Sequence, residues 1–278
     1  MRTKITKSDG WRLFVRTVIG RAYPRVVGTT RDLNWLFFDI FFPFLTTVGY
    51  VYTYRALQAP SEYVGFVVLG GAMSAFWFNV LWSMASQLYW EKETGNLSLY
   101  IVAPTSLMAI LLGMALGGLL STAVRAVVIL LLGSWMFQVQ YAVVSFWALF
   151  VVFMLTMAAL YGMGMMMSSL FLFFNREAWH IANLIEPPVM LFSGFYFPLK
   201  AFGFWPAIVA SLIPLTMGMD AMRQLAFPSG AALGLLPVRT EIIVLIVLTV
   251  VYIGAARFVL AYMEKLAIRQ GKISDRLS

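Results

Sequence analysis

The chain of 278 residues has no cysteine and a single histidine, His180. Without thiols there are no disulfides, thiolate metal sites or cysteine nucleophiles, and one imidazole cannot build a multi-histidine metal centre. Charge is scarce as well, at 12% of residues, where a soluble domain carries about a quarter. No GxxxxGK[ST] phosphate-binding loop occurs, so hydrolysis of ATP by that route is excluded and any such energy has to arrive from a partner. An ion-driven carrier holds carboxylates within its spans. Here the acidic residues near membrane depth are Asp39, Glu186, Asp220 and Glu241, most of them at expected span ends or beside proline. A membrane-embedded enzyme would want clustered His, Asp or Glu, and Glu177 with His180 is the only such pair, read as an ordinary helix surface; neither metal nor catalytic residues are expected.

What the chain does have is hydrophobicity: 61% apolar residues, 23 Phe, 17 Met, 12 Tyr and 9 Trp. This is the composition of an integral membrane protein. A span needs about 20 mostly apolar residues, and the expected spans are 33–54, 63–88, 107–137, 141–174, 181–197 and 241–263, which makes an all-α protein of six transmembrane helices. The first apolar run begins late, near Leu33, and reads as a retained signal-anchor helix rather than a cleaved signal. No internal repeat is evident, so a single membrane domain is expected over 1–278, with 1–32 and 264–278 as tails around a membrane region at 33–263. Between the fifth and sixth spans, Pro198, Pro206 and Pro214 cut an apolar stretch into pieces too short to cross. These pieces read as a re-entrant or interfacial helix pair, which must face protein because broken backbone is not tolerated against lipid.

Orientation follows from the basic residues. With the N-terminus inside, Arg2, Lys4, Lys7, Arg12, Arg16, Arg21, Arg25, Arg31, Lys92, Arg176, Lys265, Arg269, Lys272 and Arg276 lie inside, against Arg55, Lys200, Arg223 and Arg239 outside. Fourteen against four puts both termini in the cytoplasm. The net charge of +8 therefore reflects topology and anionic lipid rather than nucleic acid. Before the first span, Trp11, Phe14, Val15, Val18, Ile19 and Ala22 share a helical face, with Arg12, Arg16 and Arg21 around the rest. Such a basic amphipathic helix lies in the membrane interface, as a plain anchor or as an elbow that sets the angle of the first span.

Within the spans, Arg125 is the costliest residue, since a central arginine costs at least about 2.5–3.5 kcal/mol. It needs a partner, a cavity or a short end from which to snorkel; Arg257 lies near enough to an end to snorkel. Asn79 can bridge helices or line a path, and Glu186, before Pro187 and Pro188, can orient broken backbone or meet a substrate. Asp220 and Arg223, three residues apart on a short helix, read as a local ion pair. Aromatic residues such as Phe195 and Phe197 fall near inner surfaces, although aromatics alone do not select among a drug, a lipid and a sugar.

The segment "YWEKETGNLSLYIVAPTS" interrupts two spans with charge, and Leu97, Tyr100 and Ile101 fall at i, i+3 and i+4 after Gly95 and before Pro104. That spacing describes a short amphipathic helix along the cytoplasmic face, a docking element or a surface turn. The sequence "EKETGNLSLYIVAPTSLMAILLG" resembles the region after the second helix of ABC-2 type permeases, the membrane subunits of many bacterial ABC exporters. "NREAWHIANLIEPPVMLFSGFYFPL" and "WPAIVASLIPLTMGMDAMRQLAF" are similar to the family's fifth-helix and following segments.

The resemblance implies a non-catalytic permease subunit of the bacterial plasma membrane. It would pair with a second permease copy, an identical chain being favoured because all these features lie on one chain, and with two ABC ATPase subunits. The chain itself would bind no cofactor, with ATP and Mg entering through the ATPase. It assigns 91–103 to the coupling helix, with Glu91, Lys92, Glu93, Gly95, Leu97, Tyr100 and Ile101 as the contact set, and Trp11, Phe14, Arg16 and Arg21 to the elbow helix. Asn79, Arg125, Glu186, Phe195 and Phe197 are candidates for the translocation path or gate. "TTRDLNWLFFDIFFPFL" only partly echoes the polysaccharide exporters, so a hydrophobic or amphipathic cargo (drug, lipid or glycolipid) is expected; a glycan exporter or an ion-coupled carrier is the alternative.

Overall fold

The computed structural model describes residues 7–103, 105–174, 177–228 and 230–270. Arg2, Lys4, Pro104, Arg176, Lys272 and Arg276 lie outside them, as does the side chain of Ile101. Twelve helices follow one another, with no strand among the described residues: α1 (Lys7–Arg31), α2 (Leu33–Ala56), α3 (Glu62–Phe78), α4 (Gln87–Glu93), α5 (Asn96–Val102), α6 (Leu107–Phe137), α7 (Phe146–Phe174), α8 (Glu177–Phe192), α9 (Phe204–Ala210), α10 (Pro214–Ala226), α11 (Gly230–Leu233) and α12 (Val238–Gln270). Among the described residues, five helical segments are long and apolar enough to cross a bilayer, namely Leu36–Ala56, Glu62–Glu93, Leu107–Phe137, Phe146–Ser169 and Val238–Tyr262. The chain is a multi-pass membrane protein.

The expected fifth span, 181–197, is a shorter helix. At 16 residues and 1.5 Å per residue, α8 covers about 24 Å, short of the roughly 30 Å hydrocarbon core. Pro187 and Pro188 sit inside it, each removing a backbone donor, and it ends before Gly194, whose φ of +80° turns the chain. The segment beyond is broken as expected: Trp205–Ser211 and Pro214–Ala226 meet at 105°. The fourth span begins at Phe146 rather than residue 141, because Ala142 and Val144 donate instead to Ala226 and Leu225 carbonyls at the end of α10, both at 2.9 Å.

Burial orders these helices. The span containing α3 is 89% buried in its most apolar window, whereas those of α2 and α12 are 11% buried. A helix hydrophobic all round and buried is a core helix, so α3 is the centre and the other two present their faces to lipid or to another chain. Residues Asn79–Met84 at the end of α3 form a π-helical turn, closed by Ala85 N donating to Val80 O at 2.9 Å, a device that recurs at functional sites. At the opposite end of the bundle Arg223 does not pair with Asp220. It donates to the carbonyls of Phe66 (3.0 Å) and Phe195 (2.9 Å), which pins the broken α9–α10 segment onto α3. Asp220 instead accepts from Leu235 N at 2.7 Å.

The N-terminal helix is longer than the expected interfacial stretch and runs through Pro24. It packs along α6 with almost no side chain between the two backbones. A Cβ on Gly113 would sit 2.5 Å from Val18 O, and one on Gly117 2.7 Å from Ala22 O. Phe14, Val15, Val18 and Ala22 are half-buried, while Trp11, Arg16 and Ile19 stay exposed, so only part of the expected apolar face is used internally. Gly117→Leu should force α1 away from α6 and destabilise the protein by about 1–3 kcal/mol, as overpacking does. Thermal unfolding in detergent checks this, with Gly20→Ala as the control, since nothing lies within 4 Å of a Cβ there.

A cavity wired to the short helices

The close α1–α6 contact aims two arginines, one turn apart, at different targets. Arg21 reaches α4 and α5: its Nη2 donates to Glu91 Oε1 at 3.1 Å and also to the Tyr100 hydroxyl, and its guanidinium stands 4.4 Å from the Tyr100 ring centre. Tyr100 donates in turn to Glu91 Oε2 at 2.9 Å, and Gln87 Nε2 donates to Glu91 Oε1 at 3.1 Å. Gln87 Oε1 then accepts from Arg25 Nη1 at 2.7 Å, and Arg25 Nη2 donates to Ser83. A continuous polar chain therefore runs Tyr100–Glu91–Gln87–Arg25–Ser83. Burial pulls the Arg25 pKa below its ordinary value, with Tyr161 opposing and the Arg125 charge adding to the fall; a guanidinium nevertheless stays charged.

Arg25 also lines a cavity of about 450 Å³. The cavity lies between α1, α2, α3 with its π-helical turn, and α6, and is closed by Met190 of α8 and Tyr196 beyond it. Its polar lining comprises Arg25, Asp39, Thr46, Asn79, Ser83, Ser121 and Arg125, and its apolar walls include Phe38, Phe42, Phe78 and Trp82. Arg125 is met by a partner: it forms an ion pair with Asp39 on α2 and donates to Thr122 Oγ1 at 3.0 Å. Asn79 accepts from Tyr161 at 3.0 Å, so it ties α3 to α7 and faces the cavity at once. A second groove, between α8 and α9, is lined by apolar residues such as Leu184, Val189, Trp205 and Val209 and by no charged residue. The first cavity is the candidate site because it alone of the two offers directional polar groups among apolar walls.

Of the residues expected on a path, Asn79 and Arg125 line the cavity together. Glu186 stands behind its wall, accepting from Trp82 Nε1 at 2.7 Å. Phe195 and Phe197 are not in the lining, which takes Tyr196 from between them. In the short-helix region, Gly95 adopts φ +80° between α4 and α5, a value that favours glycine. Leu97 and Tyr100 pack against the core, and Glu91 is buried within the chain by Arg21, Gln87 and Tyr100, rather than turned outward as expected. Lys92 and Glu93 are half-buried and engaged. Among the described side chains here, Trp90 (52%) and Leu99 (67%) are the exposed large apolar ones. Sequence reasoning missed both of these and Arg25, which it counted only for topology. The spacing of Leu97 and Tyr100 marks one face of α5, the one that packs against the core, and Leu99 stands exposed on the other.

A family model described as ABC-2 type transporter matches residues 25–227. The chain is similar to the protein named "Probable multidrug ABC transporter permease YbhR" of Escherichia coli strain K12, with 26% identity over 137 residues, 49% of this chain and 36% of the relative. The protein of the same name in Escherichia coli O157:H7 matches to the same extent. The matched segment therefore spans only 36% of the length of these curated relatives.

The Asp39–Arg125 pair yields a prediction about its two ends. Arg125 is 9% exposed, whereas the Asp39 side chain is 37% exposed. A charge stranded where water cannot reach it costs more, so Asp39→Asn should lower thermal stability more than Arg125→Gln. The double variant should be more stable than the two single losses sum to, by about 0.5–3 kcal/mol, as measured by a double-mutant cycle of unfolding in detergent.

Proposed function

The chain belongs to the ABC-2 type transporter family, and we propose that it is the membrane permease subunit of a plasma-membrane exporter driven by ABC ATPase subunits on separate chains. Both termini and the α4–α5 end face the cytoplasm in this reading, in keeping with the basic residues clustered there. The chain supplies no catalysis; ATP and Mg belong to the ATPase, and two permease copies, favoured as identical, form the transporter. The cargo is hydrophobic or amphipathic. Its binding place is the cavity between Arg25, Asp39, Asn79 and Arg125.

The observation that carries this reading is the polar chain from Tyr100 on α5, through Glu91 and Gln87, to Arg25 in the cavity wall. Trp90 and Leu99 are exposed at the α4–α5 corner and have the size and apolar character of interface anchors. The ATPase seats on them and on the turn at Gly95. Buried hydrogen-bonded charge networks hold one geometry rather than many, so a push on α5 moves α4 and α1 with it and displaces Arg25. Glu91 works in this scheme as an internal linker between α1, α4 and α5. Nucleotide and cargo then bias the same inward and outward populations through their differing affinities for each.

Two sets of variants separate docking from transmission. Trp90→Ala with Leu99→Ala should reduce recovery of the ATPase with the purified permease by at least about tenfold, the loss expected when two interface anchors are truncated. Glu91→Gln with Gln87→Leu should leave copurification intact while ATP-driven transport by the complex falls. Unimpaired transport in that second variant, or full ATPase recovery in the first, would overturn the assignment.

A further inference from the structure

Building on the exporter reading, in which Trp90 anchors the ATPase and the cavity takes the cargo, we propose that Trp179 is a positioning residue for transport. It passes the docking contact at Trp90 into the inner half of α8 and so to the cavity wall. Trp179 is half-buried on α8, and four rings from three other segments meet it among the described residues. The Trp82 indole, on the π-helical turn, stacks on it with ring centres 5.6 Å apart and 19° between the planes. Trp90 and Tyr89 of α4 meet it edge-on at 6.2 and 6.3 Å, and Phe171 of α7 does so at 5.8 Å. Of these four rings Trp90 is the exposed one, and Trp82 is the one that lines the cavity. Trp179 therefore touches a docking anchor and a cavity wall at once.

A second fastening keeps α8 in register. Trp82 Nε1 donates to Glu186 Oε2 at 2.7 Å, and Glu186 stands about two helical turns beyond Trp179. The one indole of Trp82 thereby holds α8 at two heights, against rotation as well as sliding. Close-packed rings leave no slack to absorb a displacement, and packed side chains carry coupling between sites, so the inner half of α8 follows α4. The motion is taken up at Pro187 and Pro188, where missing backbone donors weaken the helix and a bend forms most easily. Beyond them Met190 lines the cavity, Phe192 packs on Phe202 at 5.2 Å, and Arg223 holds the Phe195 carbonyl. The inner half of α8 is thus tied to the docking side and its outer end to the far side, with Met190 just past the bend. The polar chain through Glu91, Gln87 and Arg25 shares no residue with this ring cluster, so two separate routes lead from the short helices to the cavity.

Met190→Cys, in a chain with no native cysteine, reports on the cavity wall. Its rate of labelling by N-ethylmaleimide is measured in the permease copurified with its ATPase, first without nucleotide and then after trapping with ATP and vanadate. The expected change between the two states is about fivefold or more, the lower end of the coupling found between two sites in one protein. Adding Trp179→Leu should abolish that change while the ATPase still copurifies, and Trp179→Phe, which keeps a ring in place, should restore it; unfolding curves confirm that each variant is folded. Glu186→Ala removes the second fastening and leaves the rings untouched, so it should diminish the change, and it carries the test if Trp179→Leu does not fold. Three results overturn the proposal and leave the permease reading standing: a full response in a folded Trp179→Leu or Glu186→Ala chain, no restoration by Trp179→Phe, or no response at Met190→Cys in a complex that transports. An ATPase that never copurifies removes the permease reading itself, and the Trp179 route with it.

Discussion

Backbone contact between α1 and α6 governs what the rest of the molecule can do. With Gly113 and Gly117 under Val18 and Ala22, the two helices approach more closely than side chains would allow, the arrangement that small residues permit between helices in membranes. The approach carries Arg21 and Arg25 inward from the basic end of the chain. Neither can be left unsatisfied there, because a buried charge without hydrogen bonds is costly. Glu91, Tyr100, Gln87 and Ser83 meet them, and these residues belong to α5, α4 and the π-helical turn. One packing contact thereby fixes the place of three helical segments and one wall of the cavity.

The two halves of the membrane region differ in how they are held. Around the cavity, α2 is joined to α6 through Asp39 and Arg125 and is otherwise largely exposed. The opposite end is fastened by Arg223 on two carbonyls, by Tyr54 donating to Tyr196 O at 2.9 Å, and by the Tyr50–Tyr196 stack at 4.1 Å. That end is dense with aromatic and backbone contacts, those of Tyr50 and Tyr54 on α2 included, whereas the Asp39 end of α2 is tied to α6 by an ion pair and carries a largely exposed ladder of phenylalanines. A region with few buried apolar contacts opens most readily, which places the easier motion at the Asp39 end of α2, beside the cavity.

Much of the fold was legible in the sequence because membrane insertion imposes long apolar runs. The spans starting near Leu33, Tyr63 and Leu107, and the proline-broken pair before α12, stood where hydropathy and proline put them. The apparent length of the fifth span misled because hydropathy does not register that Pro187, Pro188 and the turn at Gly194 shorten the helix. The partner of Arg125 lay 86 positions away and no local pattern announced it. Arg25 was hidden for the same reason. Its role depends on glycines roughly ninety residues downstream, and only the four-residue spacing of Gly113 and Gly117 hinted at a close helix contact. At α5, Leu97 and Tyr100, expected in the ATPase contact set, pack against the core instead, while the outward residues Trp90 and Leu99 follow only once α4 and α5 are placed together.

In the proposed mechanism α1, α4 and α5 move as one body and carry Arg25 with them. The hydroxyls of Thr17 on α1 and Thr105 beyond α5 stand 3.1 Å apart, and the native chain has no cysteine, so Thr17→Cys with Thr105→Cys offers a selective disulfide across that junction. ATP-driven transport by the assembled complex, measured before and after oxidation, reports on the claim directly. Transport that survives the tether, with reduction making no difference, is the predicted result. Transport that stops on oxidation and returns on reduction would show that α1 and the α5 region must separate during the cycle, and would contradict the account.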